Sequence, residues 1–246
     1  MKGYAVVPRP RIKRRPRQGC GRPTGVNALA AGFDTGNDDV FARIAQAIER
    51  HGYAIVDGGV PEATVDALFV QLTALADDAM ARAAVGRDDV HQLNRFVRTD
   101  DTCWLDGDTP ATRGFLGWME RLRLGINRHL YLGLFDYEAH FARYAPGAFY
   151  RRHVDAFGDV QRNRVLSTVL YLNPTWRPGD GGEMVLYAPG EGRAAVETVQ
   201  PLYGRLAVFL SERFPHEVLT TRTTRFSIAG WFRVNGSVDG QIDPPR

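Results

Sequence analysis

From Tyr137 to Val234 the chain breaks into eight short runs rich in β-branched and aromatic residues, separated by Gly, Pro and Asn. No other feature constrains the fold as much. The candidate strands are 137–145, 149–154, 165–172, 183–187, 195–200, 205–210, 216–219 and 225–234. Upstream the period lengthens. Val40, Phe41, Ile44, Ala45 and Ile48 recur at helical spacing behind a cap at Asn37 or Asp38, and a short strand, 53–56, follows. Pro61 opens a second helix with Val65, Leu68, Phe69, Leu72, Leu75 and Ala76 on its buried stripe. Thr109-Pro110 opens a third, carrying Phe115, Leu116, Met119, Leu122 and Ile126. Helices first and strands afterwards predict an α+β fold: a double-stranded β-helix (jelly-roll) core over about 137–234, braced by N-terminal helices.

The length of 246 residues suits one domain with a full core, placed at 37–246. With 44% apolar and 24% charged residues the composition is that of an ordinary globular protein. No apolar run reaches the roughly 18 residues of a membrane span and no secretory leader is evident, so a cytoplasmic protein is expected. Cys20 and Cys103 lie in unrelated segments and support neither a disulfide framework nor a cysteine zinc site. The net charge of +3 is uneven, because residues 1–22 hold eight Lys or Arg and no acid, leaving 23 basic against 28 acidic residues elsewhere. Residues 1–36 are accordingly read as a basic, disordered tail, and a nucleic-acid partner, which only this tail suggests, is not expected.

His153-Val154-Asp155 places an imidazole and a carboxylate two residues apart, so an extended backbone sends both to one face. Such a triplet is common. It gains weight from His216, 61 residues after Asp155, where a jelly roll can return it to the same mouth. Two His and one carboxylate form a facial triad that leaves adjacent metal positions open, the ligand set of non-haem Fe(II) oxygenases rather than of structural zinc. Nine residues further on, Arg225 begins the last strand, and alternation puts Arg225, Ser227, Ala229 and Trp231 on one face. An inward arginine needs a partner, which is either an internal acid or a dicarboxylate ligand. Ser167, Val169 and Tyr171 share a face of their strand, from which the Tyr171 phenol reaches the same carboxylate. His51, His91, His129 and His140 fall outside this set and are read as surface or satisfied core residues.

Tyr144-x-Pro-Gly-x-x-Tyr150-x-x-His153-x-Asp155, Leu170-Tyr171-Leu172-Asn173, Gly181-Gly182-Glu183, Pro215-His216-Glu217-Val218, Arg225 and Trp231 follow in order. In these the chain resembles the prolyl 4-hydroxylase family of 2-oxoglutarate/Fe(II) oxygenases, above all the hypoxia-inducible-factor prolyl hydroxylases and their bacterial relatives that modify elongation factor Tu. The resemblance, over about 38–234, implies that His153, Asp155 and His216 bind Fe(II), and that Arg225 and Tyr171 hold the distal carboxylate of 2-oxoglutarate. It implies that Tyr144 lies beside the cosubstrate and that Trp231 walls the pocket. Arg162, Tyr150 and Trp104 fall on the substrate side, with residues 86–107 as the covering loop. Also implied are O2 as co-reactant, ascorbate as reductant, and hydroxylation of a prolyl residue in a protein, a translation factor such as elongation factor Tu being one candidate, with release of succinate and CO2. Two rival readings remain: hydroxylation of a free amino acid or small metabolite, and a non-catalytic, cupin-like metal-binding module.

Overall fold

The computed structural model describes residues 35–75, 77–82, 98–156, 163–190, 192 and 194–235. The expected tail therefore lies, but for its last two residues, outside the described part. Helix α1 (Thr35–His51) starts ahead of the expected cap, so Asn37 and Asp38 sit inside its first turn. It ends at Gly52, whose left-handed φ of 84° lets its N–H return to the Ile48 carbonyl at 2.7 Å. A Cβ there would lie 2.8 Å from the Phe214 ring. Strand β1 (Tyr53–Val56) leads to α2 (Glu62–Ala74), which Pro61 precedes as its N-cap residue. A 3-10 turn (Asp77–Ala79), β2 (Ala81–Arg82) and β3 (Asp101–Trp104) follow, none of them expected. Helix α3 (Pro110–Leu130) begins with Pro110 at its first position and a reciprocal capping box between Thr109 and Thr112. Cys103 is buried and disulfide-bonded, where the sequence supported no disulfide framework.

The eight expected strands all form, as β4 (Leu134–Tyr144), β5 (Tyr150–His153), β6 (Arg164–Tyr171), β7 (Met184–Tyr187), β8 (Ala195–Val199), β9 (Leu206–Leu210), β10 (His216–Val218) and β11 (Arg225–Val234). They build two antiparallel sheets, ordered β1-β9-β6-β11-β4-β3-β2 and β5-β10-β7-β8. Alternation divides each central strand. Phe141, Leu166, Leu170, Ile228 and Phe232 face the helices, where they pack with Ile44, Leu68, Phe115, Trp118, Leu122 and Ile126. Each such fully buried side chain contributes roughly 1.5–3 kcal/mol, which fixes the large sheet against α1 and α3. The intervening residues of β4, β6 and β11 turn toward the small sheet, and the functional residues stand on that face. No helix among the described residues is long and apolar enough to cross a membrane.

The helix-facing side has little slack at Gly230, where a Cβ would lie 2.2 Å from the Tyr137 hydroxyl. That hydroxyl bonds Thr168 Oγ1 at 2.8 Å. Gly230→Ala should displace the Tyr137 ring, break this bond and cost about 1–3 kcal/mol as overpacking. Urea unfolding reads the loss as a lower midpoint at unchanged slope; an unchanged midpoint contradicts the packing described.

Candidate active site

Antiparallel pairing puts His216, the first residue of β10, directly opposite His153, the last of β5. Residues directly opposite project to the same face, and the two imidazole centroids lie 4.2 Å apart. Each ring is oriented by the backbone two residues upstream. His153 Nδ1 meets the Arg151 carbonyl at 2.8 Å and His216 Nδ1 the Phe214 carbonyl at 3.1 Å. A carbonyl only accepts, so in the neutral ring the proton sits on Nδ1 and Nε2 presents a lone pair. Burial, with His153 adding to it against the pull of Asp155, pushes His216 down to about 4 and keeps it neutral.

Asp155 lies just past β5, with Oδ1 at 3.4 Å from His153 Nε2 and Oδ2 at 3.6 Å from His216 Nε2. One ligand atom from each of the three residues falls within 4.8 Å of the others. Burial by itself would raise the Asp155 carboxyl, but His216, His153 and Arg164 outweigh it and hold it well below the usual range. Lone pairs from two imidazoles and a carboxylate thus converge on one point, an arrangement that a divalent cation relieves. The Ser167 hydroxyl donates to Asp155 Oδ2 at 2.6 Å and meets Ser211 Oγ at 2.9 Å, all three residues being buried. The carboxylate is fixed before any metal arrives.

At one end of the inward face stands Arg225, only 3% exposed and opposite Tyr144 in the β4–β11 register. Its Nε donates to the Gly182 carbonyl and its Nη1 to Ser227 Oγ, both at 2.9 Å. Its guanidinium carbon lies 4.7 Å from the Tyr144 ring centroid and 5.1 Å from that of Tyr171. Gly182, at φ 76°, leaves room for this side chain, since a Cβ there would be 2.8 Å from Arg225 Cδ. Among the described residues no carboxylate pairs with Arg225, so the internal-acid alternative is not realised there. The Tyr171 hydroxyl beside it is buried without a hydrogen-bond partner. Burial, against the pull of Arg225, raises that phenol to about 12, so it remains a donor. A buried cation and an unused phenolic donor together form a receptor for one carboxylate.

The opposite end is aromatic. Trp104, His140 and Trp231 surround one another, with His140 5.2 Å from Trp104 and 5.5 Å from Trp231 between ring centroids. Arg164 lies 3.7 Å from the Trp231 ring centroid and donates to Glu138 at 2.9 Å. Nearer Tyr144, just past the Asp101–Arg143 pairing of β3 with β4, Arg98 forms a bidentate pair with Asp100 at 2.8 and 2.6 Å. His140, set aside on sequence grounds, is a satisfied core residue through its Nδ1 contact to the Phe141 carbonyl, yet it also belongs to this wall. Burial above all, with Arg98 adding and Asp100 opposing, lowers it to about 4. The expected substrate contact Arg162 and residues 86–97 of the covering loop lie outside the described residues. Tyr150 is present, but its ring stacks on His153 at 3.6 Å and 15°. Sequence reasoning missed Ser167 as a partner of Asp155, although Ser167 had been placed on the inward face. It also missed Arg164, Arg98 and Asp100, for which no local pattern exists.

The family model for the 2OG-Fe(II) oxygenase superfamily matches residues 139–233. The chain is 27% identical over 198 residues to Egl nine homolog 1 of Mus musculus, covering 77% of this chain and 48% of that protein, so it spans about half the length of that relative. The crystal structure of a Pseudomonas putida prolyl-4-hydroxylase superposes with a TM-score of 0.71 at 38% identity, over 79% of this chain and 99% of the other. A Trichoplax adhaerens prolyl hydroxylase, solved with a hypoxia-inducible-factor oxygen degradation domain peptide fragment, gives a TM-score of 0.70 at 22% identity, over 80% of this chain and 90% of its own; this likeness is one of fold.

Because Ser167 is the hydroxyl that holds Asp155 Oδ2, Ser167→Ala should weaken Mn(II) binding about 10–100-fold, the usual effect of removing a partner behind a metal ligand. Equilibrium titration followed by electron paramagnetic resonance of free Mn(II) measures it. Unaltered affinity removes Ser167 from the site.

Proposed function

As this chain belongs to the 2-oxoglutarate/Fe(II) oxygenase superfamily, with prolyl hydroxylases among the proteins it resembles, we propose that it hydroxylates a prolyl residue within a protein, converting 2-oxoglutarate to succinate and CO2. One observation carries the reading: three converging metal-ligand atoms share a face with a buried arginine that has no acid among the described residues. In this reading His153 Nε2, Asp155 and His216 Nε2 hold Fe(II). Iron bound there would supply the redox chemistry with O2. Arg225 and Tyr171 receive the distal carboxylate of 2-oxoglutarate and so orient its other end toward the metal, with Tyr144 lining the same recess. Trp231 closes the inward face and excludes water from the reacting atoms.

The charges favour a peptide over a free amino acid. At the Trp231 end the Arg164 guanidinium is already compensated by Glu138, Arg98 further along β4 is compensated by Asp100, and His140 is kept neutral by burial. The carboxylate and ammonium of a free amino acid therefore find no unused countercharge among the described residues there. An uncharged ring within a chain suits the aromatic wall of Trp104, His140 and Trp231. Elongation factor Tu is the specific candidate, with ascorbate as reductant and the cytoplasm as the place of action. A cupin-like binding module has no need of Arg225, which argues against that alternative.

Incubation with Fe(II), 2-oxoglutarate and either elongation factor Tu peptides containing proline or free proline tests this directly. The peptide should gain the mass of one oxygen with stoichiometric succinate, free proline should not react, and His153→Ala should give neither product. Turnover of free proline alone, or normal turnover by His153→Ala, contradicts the proposal.

A further inference from the structure

The two histidines at the metal site are immobilised in different ways. His216 is buried, with the Phe209 ring edge-on to it at 4.8 Å between centroids. His153 sits at the half-buried rim, with Nδ1 at 2.8 Å from the Arg151 carbonyl. That contact alone would leave the imidazole free to swing about its axis, which would move Nε2 away from the point where the ligands converge. The Tyr150 ring removes this freedom, lying nearly parallel to His153 at 3.6 Å. The guanidinium carbon of Arg98 lies 4.5 Å from the same Tyr150 centroid. Two groups this close to one centroid cannot share a face, so Tyr150 is clamped between them.

Arg98 is itself fixed. It forms the bidentate pair with Asp100, which is fully buried. Its backbone makes an antiparallel bridge with Tyr150, and the neighbouring Thr99 N–H donates to the Phe149 carbonyl at 3.2 Å. A continuous column thus runs from Asp100 through Arg98 and Tyr150 to His153. Both faces of the Tyr150 ring are occupied within the protein.

We propose that Tyr150 is a positioning residue for the metal ligand His153, backed by the Arg98–Asp100 pair, rather than a substrate contact. The inference rests on the reading of His153 as a metal ligand and goes beyond it by assigning what sets the plane of that ligand. The column acts before substrate binds, so its effect belongs to metal affinity and not to KM for the peptide.

The test is Mn(II) binding by the full-length metal-free protein without substrate, read by electron paramagnetic resonance and accompanied by a thermal melt of each variant. Tyr150→Phe, which keeps the stacked ring, should bind within about twofold of wild type, whereas Tyr150→Leu should lose about 10–100-fold. Wild-type affinity in Tyr150→Leu, with binding lost in His153→Ala, overturns the positioning role and leaves the metal site standing. Wild-type affinity in His153→Ala overturns the metal site itself. Should Tyr150→Leu not melt cooperatively, the double variant Arg98→Ala/Asp100→Ala decides, because it removes the backing and both charges while leaving the tyrosine. A several-fold loss supports the column, and unchanged affinity overturns it.

Discussion

The arrangement depends on the register in which β10 meets β5. His216 stands opposite His153, and because side chains alternate along a strand, a slip of one residue would turn one imidazole out of the site. The register is held from both sides, since β10 also pairs with β7 through His216–Leu186, Glu217–Val185 and Val218–Met184. The ligand geometry is thus a product of backbone pairing. The i−2 carbonyls then orient both Nε2 atoms, and Ser167 fixes the carboxylate.

The inward face of the large sheet is electrostatically graded. Arg225 is a buried positive charge with no carboxylate paired to it among the described residues, whereas Arg164 beside Trp231 is matched by Glu138 and Arg98 by Asp100. An isolated buried cation is costly to fold, so such a residue marks where an anion belongs. Matched pairs instead shape a wall without attracting charge. This difference lets one cavity accept a diacid at one end and an uncharged ring at the other.

Much of this was legible in the sequence. The eight strands of the jelly roll appear within a few residues of their expected bounds because alternation and turn residues are local signals. His153, Asp155, His216 and Arg225 were recoverable because their spacing fits strand geometry. What escaped depends on distant pairing. β2 and β3 have no apolar alternation of their own and exist because β3 adds to the edge of β4. Arg164 carries no local signal, and only the β6–β11 register brings its strand beside Trp231. Tyr150 was visible as a residue, but its clamping between Arg98 and His153 requires a residue 52 positions upstream. The start of α1 was misplaced because Asn37 and Asp38 suit a helix's first turn as well as its cap.

A crystal structure of the protein with Mn(II) and 2-oxoglutarate under anaerobic conditions tests the central claim most directly. The account predicts one metal ion at about 2.0–2.2 Å from His153 Nε2, His216 Nε2 and an Asp155 oxygen, with the far carboxylate of the diacid on Arg225 and the Tyr171 hydroxyl. A metal bound elsewhere, or a diacid whose far carboxylate leaves Arg225 unengaged, would contradict it.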